Sequence, residues 1–182
     1  FDSNWIAPLG PNVDSFENEM SDYLGFGYAA ALSTGTAALH LALKLSGIET
    51  GDRVICPSLT FAASANVILY EKAIPVFIDV NEKTWTLNPE LLELAILDHK
   101  PKVVIAVDIY GQSANMTKIM EIAEENNLMV ISDTAQSPGA KHNDCYAGTL
   151  AHIGGYSLNC HKHINCGEGG IIVTNDPKLA YR

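Results

Sequence analysis

The sequence predicts an α/β domain: a mainly parallel sheet with helices on both faces. Three observations predict it. Short apolar runs alternate with longer segments of helical spacing. The clearest runs, KVVIAVD and LMVISD, are apolar at nearly every position, as in strands covered on both sides. Helix-starting and helix-stopping residues fall between the runs, and strand–helix–strand order favours parallel crossovers.

Taken in order, VDSFENEMSDYL places Val13, Phe16, Met20, Tyr23 and Leu24 near helical spacing. The strand-like AAAL follows, then the helix GTAALHLALKLSG, stopped at Gly47. RVICP is a short strand ended by Pro57, a helix is predicted over Ala62–Tyr70, and IPVFIDV is the next strand. Asn88 followed by Pro89 starts a helix that runs through LLELAILDH. KVVIAVD is a buried strand, Asn115 caps MTKIMEIAEEN, and LMVISD is another buried strand. A short strand precedes Ser157, and the final KLAYR lies in a helix-like segment after TNDP, which reads as a cut end.

Composition narrows the function classes. The 182 residues are 47% hydrophobic and 18% charged, which fits one globular domain with a substantial core. A formal charge of -10 and no basic block exclude a nucleic-acid footprint. No apolar run approaches a membrane span, and the first residues show no secretory leader. Cys56, Cys145, Cys160 and Cys166 do not form a disulfide framework, so a reducing cytoplasm is the expected setting.

Ligands of such sheets bind beyond the carboxyl ends of the strands, and there the informative residues cluster. STGTAALHLAL sets small and hydroxyl residues before a helix whose first-turn amides suit a phosphate. The plainer reading is that Ser33 or Thr34 only caps that helix. Asp133 ends a buried strand, where its carboxylate either keeps a ring nitrogen protonated or caps a turn. Gln136 is placed to hydrogen-bond a ring substituent. Phe61 either stacks on a flat ring or fills the core. Lys162 sits in a glycine-rich stretch rather than on an amphipathic helix, so it is either a surface lysine or an amine that condenses with an aldehyde. Ser157 lies five residues earlier, within reach of the same phosphate. Cys160, His161, His163 and Cys166 lack the paired spacing of a zinc site, so no metal is expected. GEGG precedes a strand and is not a dinucleotide fingerprint.

Together the segments WIAPLGPNVDSFE, ALSTGTAALHLAL, VICPSLTFAASANVI, VFIDVNEKTWTLNPE, ISDTAQSPGA, YSLNCHKHINCGEGG and IIVTND resemble the pyridoxal-phosphate-dependent sugar aminotransferases of the DegT/DnrJ/StrS type. The resemblance spans nearly the whole chain. It implies the large domain of the type I pyridoxal-phosphate transferase fold over residues 1–182, without the smaller C-terminal domain. It implies that Thr36 and Ala37 give backbone and hydroxyl donors to the phosphate, and that Ser157 binds it too. Phe61 would cover the pyridine ring, Asp133 pair with its nitrogen, Gln136 contact its oxygen, and Lys162 hold the cofactor as a Schiff base.

The implied reaction moves an amino group from glutamate or glutamine to a nucleotide-linked keto-sugar, for polysaccharide, lipopolysaccharide or other amino-sugar biosynthesis. The implied assembly is a cytoplasmic homodimer with shared active sites. Two alternatives stand beside it: a pyridoxal-phosphate-dependent sugar dehydratase, in which a histidine replaces the lysine, and a non-catalytic regulatory homologue. His161 and His163 flank the lysine, so register decides. Five residues on from Ser157, or five back from Gly167, both arrive at Lys162.

Overall fold

Local sequence sets the helix ends. The computed structural model describes residues 9–182; the opening of the first matched segment, residues 5–8, lies outside them. Helix α1 (Pro11–Leu24) has Pro in its first turn and stops at Gly25, whose φ of 61° is the left-handed C-cap conformation that glycine adopts without strain. After strand β1 (Tyr28–Leu32), Thr34 caps α2 (Gly35–Leu45) by accepting the Ala37 amide at 3.0 Å. β2 (Arg53–Pro57), α3 (Ala62–Tyr70) and β3 (Ile74–Ile78) follow. Asn88 caps α4 (Pro89–His99) through the Glu90 and Leu91 amides. Beyond β4 (Val103–Val107), Asn115 caps α5 (Met116–Glu125) through the Lys118 amide. β5 (Met129–Asp133) leads to two short strands, β6 (Lys141–His142) and β7 (Cys145–Tyr146). β8 (Ile153–Ser157), β9 (Gly170–Thr174) and the short α6 (Pro177–Ala180) complete the order.

Seven strands form one sheet in the order β1-β9-β8-β5-β4-β2-β3. Six run in one direction; β9 is antiparallel to both neighbours, β1 and β8. The mainly parallel sheet is therefore as expected, with one reversed strand inside it. That reversal matters for the site. β8 and β9 are consecutive neighbours, so the connection 158–169 stands at the carboxyl edge of the sheet and carries Lys162 there.

Both faces are covered. Val103, Ile105 and Val107 of β4 pack with Leu39, Leu43, Val67 and Ile68 from α2 and α3. Val104 and Ala106 pack on the other side with Leu92, Ile96, Ile119 and Ile122 from α4 and α5. α1 sends Leu24 to the same side, against Tyr156, Ile171 and Val173. Strand alternation sorts the residues in this way, and each fully buried aliphatic side chain contributes ~1.5–3 kcal/mol.

The small β6–β7 hairpin was not foreseen. Asn143 and Asp144 turn it with φ of 47° and 63°, a two-residue turn with both central residues left-handed. Two-residue strands leave no readable periodicity, so only the Asn-Asp pair marked it.

The carboxyl edge is closed by steric necessity. Leu32, Gly170 and Ser157 lie abreast in register. A Cβ on Gly170 would stand 2.1 Å from the Thr34 carbonyl oxygen, and one on Gly35 would stand 2.6 Å from the Ser157 Cβ. Only glycine lets the start of α2 press against the ends of β8 and β9. Gly170→Ala is expected to lower Tm by roughly 3–10 °C, from an overpacking cost of about 1–3 kcal/mol in a domain of this size. An unchanged thermal melt would contradict this close approach.

Candidate active site

The loops at the carboxyl ends of β1, β2, β5 and β8 converge. They enclose a cleft of about 320 Å³ lined by Thr34, Gly35, Thr36, Phe61, Asp133, Ala135, Gln136, Ser157, Asn159, His161, Lys162 and Glu168, among others. A larger depression of about 540 Å³ lies at the opposite edge, beside Phe26, Met129 and His152, and holds none of the predicted site residues.

One end of the cleft is built for an anion. Thr36 and Ser157 bring hydroxyls to it, beside the first turn of α2. First-turn amides have no partner within the helix, and the helix dipole favours negative charge there. Ala37 does not line the cleft, and its amide is already given to Thr34 Oγ1. The first-turn amides beyond that cap contact belong to Gly35 and Thr36.

The floor is a buried carboxylate. Asp133 is 5% exposed; its Oδ2 accepts from Ser64 Oγ at 2.6 Å and its Oδ1 from the Ala135 amide at 3.1 Å. Burial pushes its carboxyl above the usual range. The Ser64 and Ala135 donors and the nearby Lys162 charge pull it back, while the charge of Asp108 pushes the same way as burial. A cation against Asp133 would hold it ionised. Ser64 was missed in the sequence. It sits in the first turn of α3, fully buried, where a serine passes for an ordinary helix-start residue.

Phe61 and Lys162 form the upper wall. Lys162 Nζ lies 5.7 Å from the Phe61 ring centroid, and the ring is 65% exposed at the cleft mouth. The core reading of Phe61 is therefore excluded. Asn159 was also missed; its Nδ2 donates to Glu168 Oε1 at 2.7 Å and ties together the two sides of the lysine-bearing connection. Asn159 O also accepts the Lys162 amide at 2.8 Å. Gln136 Oε1 accepts the Tyr110 amide at 3.3 Å, so its Nε2 remains as the donor for a ligand. His161 lines the cleft and His163 does not.

Among the described residues, no group of three or more His, Cys, Asp or Glu side chains is arranged to hold a metal, and all four cysteines are free. Likewise no helix is long and apolar enough to cross a membrane.

Comparison with known proteins decides the family. Its model, that of the DegT/DnrJ/EryC1/StrS aminotransferase family, matches residues 1–182. The chain belongs to that family. EpsN of Bacillus subtilis (strain 168), provisionally named a pyridoxal phosphate-dependent aminotransferase, is 48% identical over 181 residues, 97% of this chain and 47% of that protein. GDP-perosamine synthase of Escherichia coli O157:H7 is 42% identical over 178 residues, covering 98% of this chain and 49% of that protein. The crystal structure of a DegT DnrJ EryC1 StrS aminotransferase from Brucella abortus superposes with a TM-score of 0.94 at 39% identity, over 99% of this chain and 50% of that one. The chain thus spans about half the length of the curated relatives it matches. Its mostly parallel seven-stranded sheet with helices on both faces is that of the type I aminotransferase fold.

A pH-dependent stability follows from the buried carboxylate. Its raised pKa means that ionised Asp133 opposes folding increasingly as pH climbs past the unfolded-state value of about 3.9. In ligand-free protein, Asp133→Asn is expected to raise Tm near pH 7, by ~2–4 °C for each kcal/mol relieved. The gain should vanish near pH 4, where little of the wild-type carboxyl is ionised. A variant less stable than wild type near pH 7 would contradict the assignment.

Proposed function

We propose that residues 1–182 form the pyridoxal-phosphate-binding large domain of an aminotransferase that transfers an amino group from glutamate or glutamine to a nucleotide-linked keto-sugar. The observation that carries this reading is the convergence of three unlike groups in one cleft: the Lys162 amine, the buried Asp133 carboxylate and the anion-ready start of α2. That donor set fits the cofactor, with an amine for its aldehyde, a carboxylate for its ring nitrogen and hydroxyls and amides for its phosphate.

In this reading the Gly35 and Thr36 amides, with the Thr36 and Ser157 hydroxyls, hold the phosphate. Ala37 serves the same group indirectly, by fixing the Thr34 cap. Phe61 covers the ring face and excludes water. Asp133 keeps the proton on the ring nitrogen. Gln136 Nε2 donates to the ring oxygen. When bound, pyridoxal phosphate supplies an electron sink for the pair released as the donor's α proton leaves. Lys162 would hold the cofactor through its amine and would move that proton, taking it from the donor's α carbon as base and returning it as acid. With the keto-sugar as acceptor, Lys162 would move the proton in the opposite direction. We place the protein in the cytoplasm as a homodimer whose subunits share the active sites.

The dehydratase reading requires a histidine in place of Lys162, and a lysine occupies that position in the cleft wall. The test uses the full-length protein loaded with pyridoxal phosphate, L-glutamate or L-glutamine, and a panel of nucleotide-linked keto-sugars. The matching 2-oxo acid and an amino-sugar should form together, and Lys162→Ala should lower kcat by at least about 10²–10⁴-fold. Loss of water from the sugar without the 2-oxo acid would instead establish the dehydratase. No conversion of the cofactor by any donor would establish a regulatory homologue.

A further inference from the structure

A second carboxylate lies behind the first, and the reaction outlined above does not use it. Asp108 follows β4 and is fully buried, outside the cleft lining. Its Oδ1 accepts the Ala114 amide at 2.8 Å. Its Oδ2 accepts both Ser132 Oγ and Thr134 Oγ1 at 2.8 Å. Those two residues flank Asp133 in the chain. Alternate residues of an extended strand point to opposite faces. Asp108 therefore grips the end of β5 from one face and leaves Asp133 turned to the other, toward Ser64 of α3.

Its backbone holds the same segment. The Asp108 amide donates to the Asp133 carbonyl at 2.9 Å, and the Asp108 carbonyl accepts from Ser137 Oγ at 2.7 Å. Ser137 Oγ in turn accepts the Gly111 amide at 3.1 Å. The turn 134–137 carries Ala135 and Gln136 into the cleft beside Asp133, so the three cleft residues of this strand end sit on a segment held by Asp108. Three donors on two oxygens are met by a carboxylate, whereas a hydroxyl or an apolar residue would leave buried donors unpaired.

We infer that Asp108 is a positioning residue, which fixes Asp133 and Gln136 against the ring nitrogen and ring oxygen of the bound cofactor. This rests on the pyridoxal-phosphate reading of the cleft. A buried carboxylate that only stabilised the fold would change the melting temperature and leave the ring untouched.

The test is nitrogen-15 NMR of the full-length protein loaded with ring-labelled pyridoxal phosphate, beside cofactor affinity and thermal melts of the cofactor-free form. Wild type should show a protonated ring nitrogen, and Asp133→Asn an unprotonated one. Asp108→Ala should move the ring signal part of the way toward that of Asp133→Asn. It should also weaken cofactor binding by roughly 10–100-fold, the range known when an outer partner of a metal-holding group is lost. Asp108→Asn keeps an acceptor for Ala114 and turns its amide toward two hydroxyls that can accept, so its signal should stay near wild type. If Asp108→Ala fails to fold, Thr134→Val removes one of the gripping hydroxyls at constant shape and should give a smaller shift in the same direction. A wild-type ring signal in folded Asp108→Ala, or in Thr134→Val where only that variant folds, would overturn the inference. So would an Asp108→Asn signal as displaced as that of Asp108→Ala, because charge rather than position would then be at work. A wild-type signal in Asp133→Asn would overturn the underlying reading of Asp133, and this one with it.

Discussion

Backbone contact between the start of α2 and the ends of β8 and β9 is the constraint on which the site depends. Thr34 and Gly35 rest on Gly170 and Ser157 with no room for a Cβ at either glycine. The contact sets the first turn of α2 beside Ser157, and Ser157 opens the connection that carries Lys162. If the helix start moved outward by the width of a methyl group, the hydroxyls of Thr36 and Ser157 would no longer face one ligand. Packing and chemistry are therefore one requirement here. The residues that close the sheet edge also set the first turn of α2 and the Lys162 amine in one cleft.

The second requirement is electrostatic. A carboxylate buried as deeply as Asp133 is costly without partners. Ser64, the Ala135 amide and the nearby Lys162 reduce the cost, and Asp108 holds the strand end while adding a like charge. The arrangement opposes stability of the ligand-free protein and favours a positive charge against the cleft floor. Functional sites commonly hold such groups at the expense of the fold.

Much of this was legible in the sequence because it follows from local rules. The Asn88 and Asn115 caps, the Gly47 stop and the apolar runs of β4 and β5 each have short-range causes, and the helix predicted over Ala62–Tyr70 forms with those bounds. Asp133, Gln136, Ser157, Lys162, Phe61 and Thr36 all line one cleft, because strand ends of a parallel sheet share an edge. Other features depend on distant partners and left no local trace. Ser64 meets Asp133 across 69 residues, and Asp108 meets Thr134 across 26. The commitment of the Ala37 amide to Thr34 was obscured because the capping and phosphate readings drew on the same turn. The antiparallel course of β9 depended on pairing, which an apolar run alone does not reveal.

The proposed reaction depends most on Lys162 as the covalent anchor. The direct measurement is borohydride reduction of the full-length protein loaded with pyridoxal phosphate, followed by peptide mapping of the phosphopyridoxyl group by mass spectrometry. One modified site is expected, on the peptide containing Lys162. A modification carried by another lysine, or none at all in cofactor-saturated protein, would contradict it.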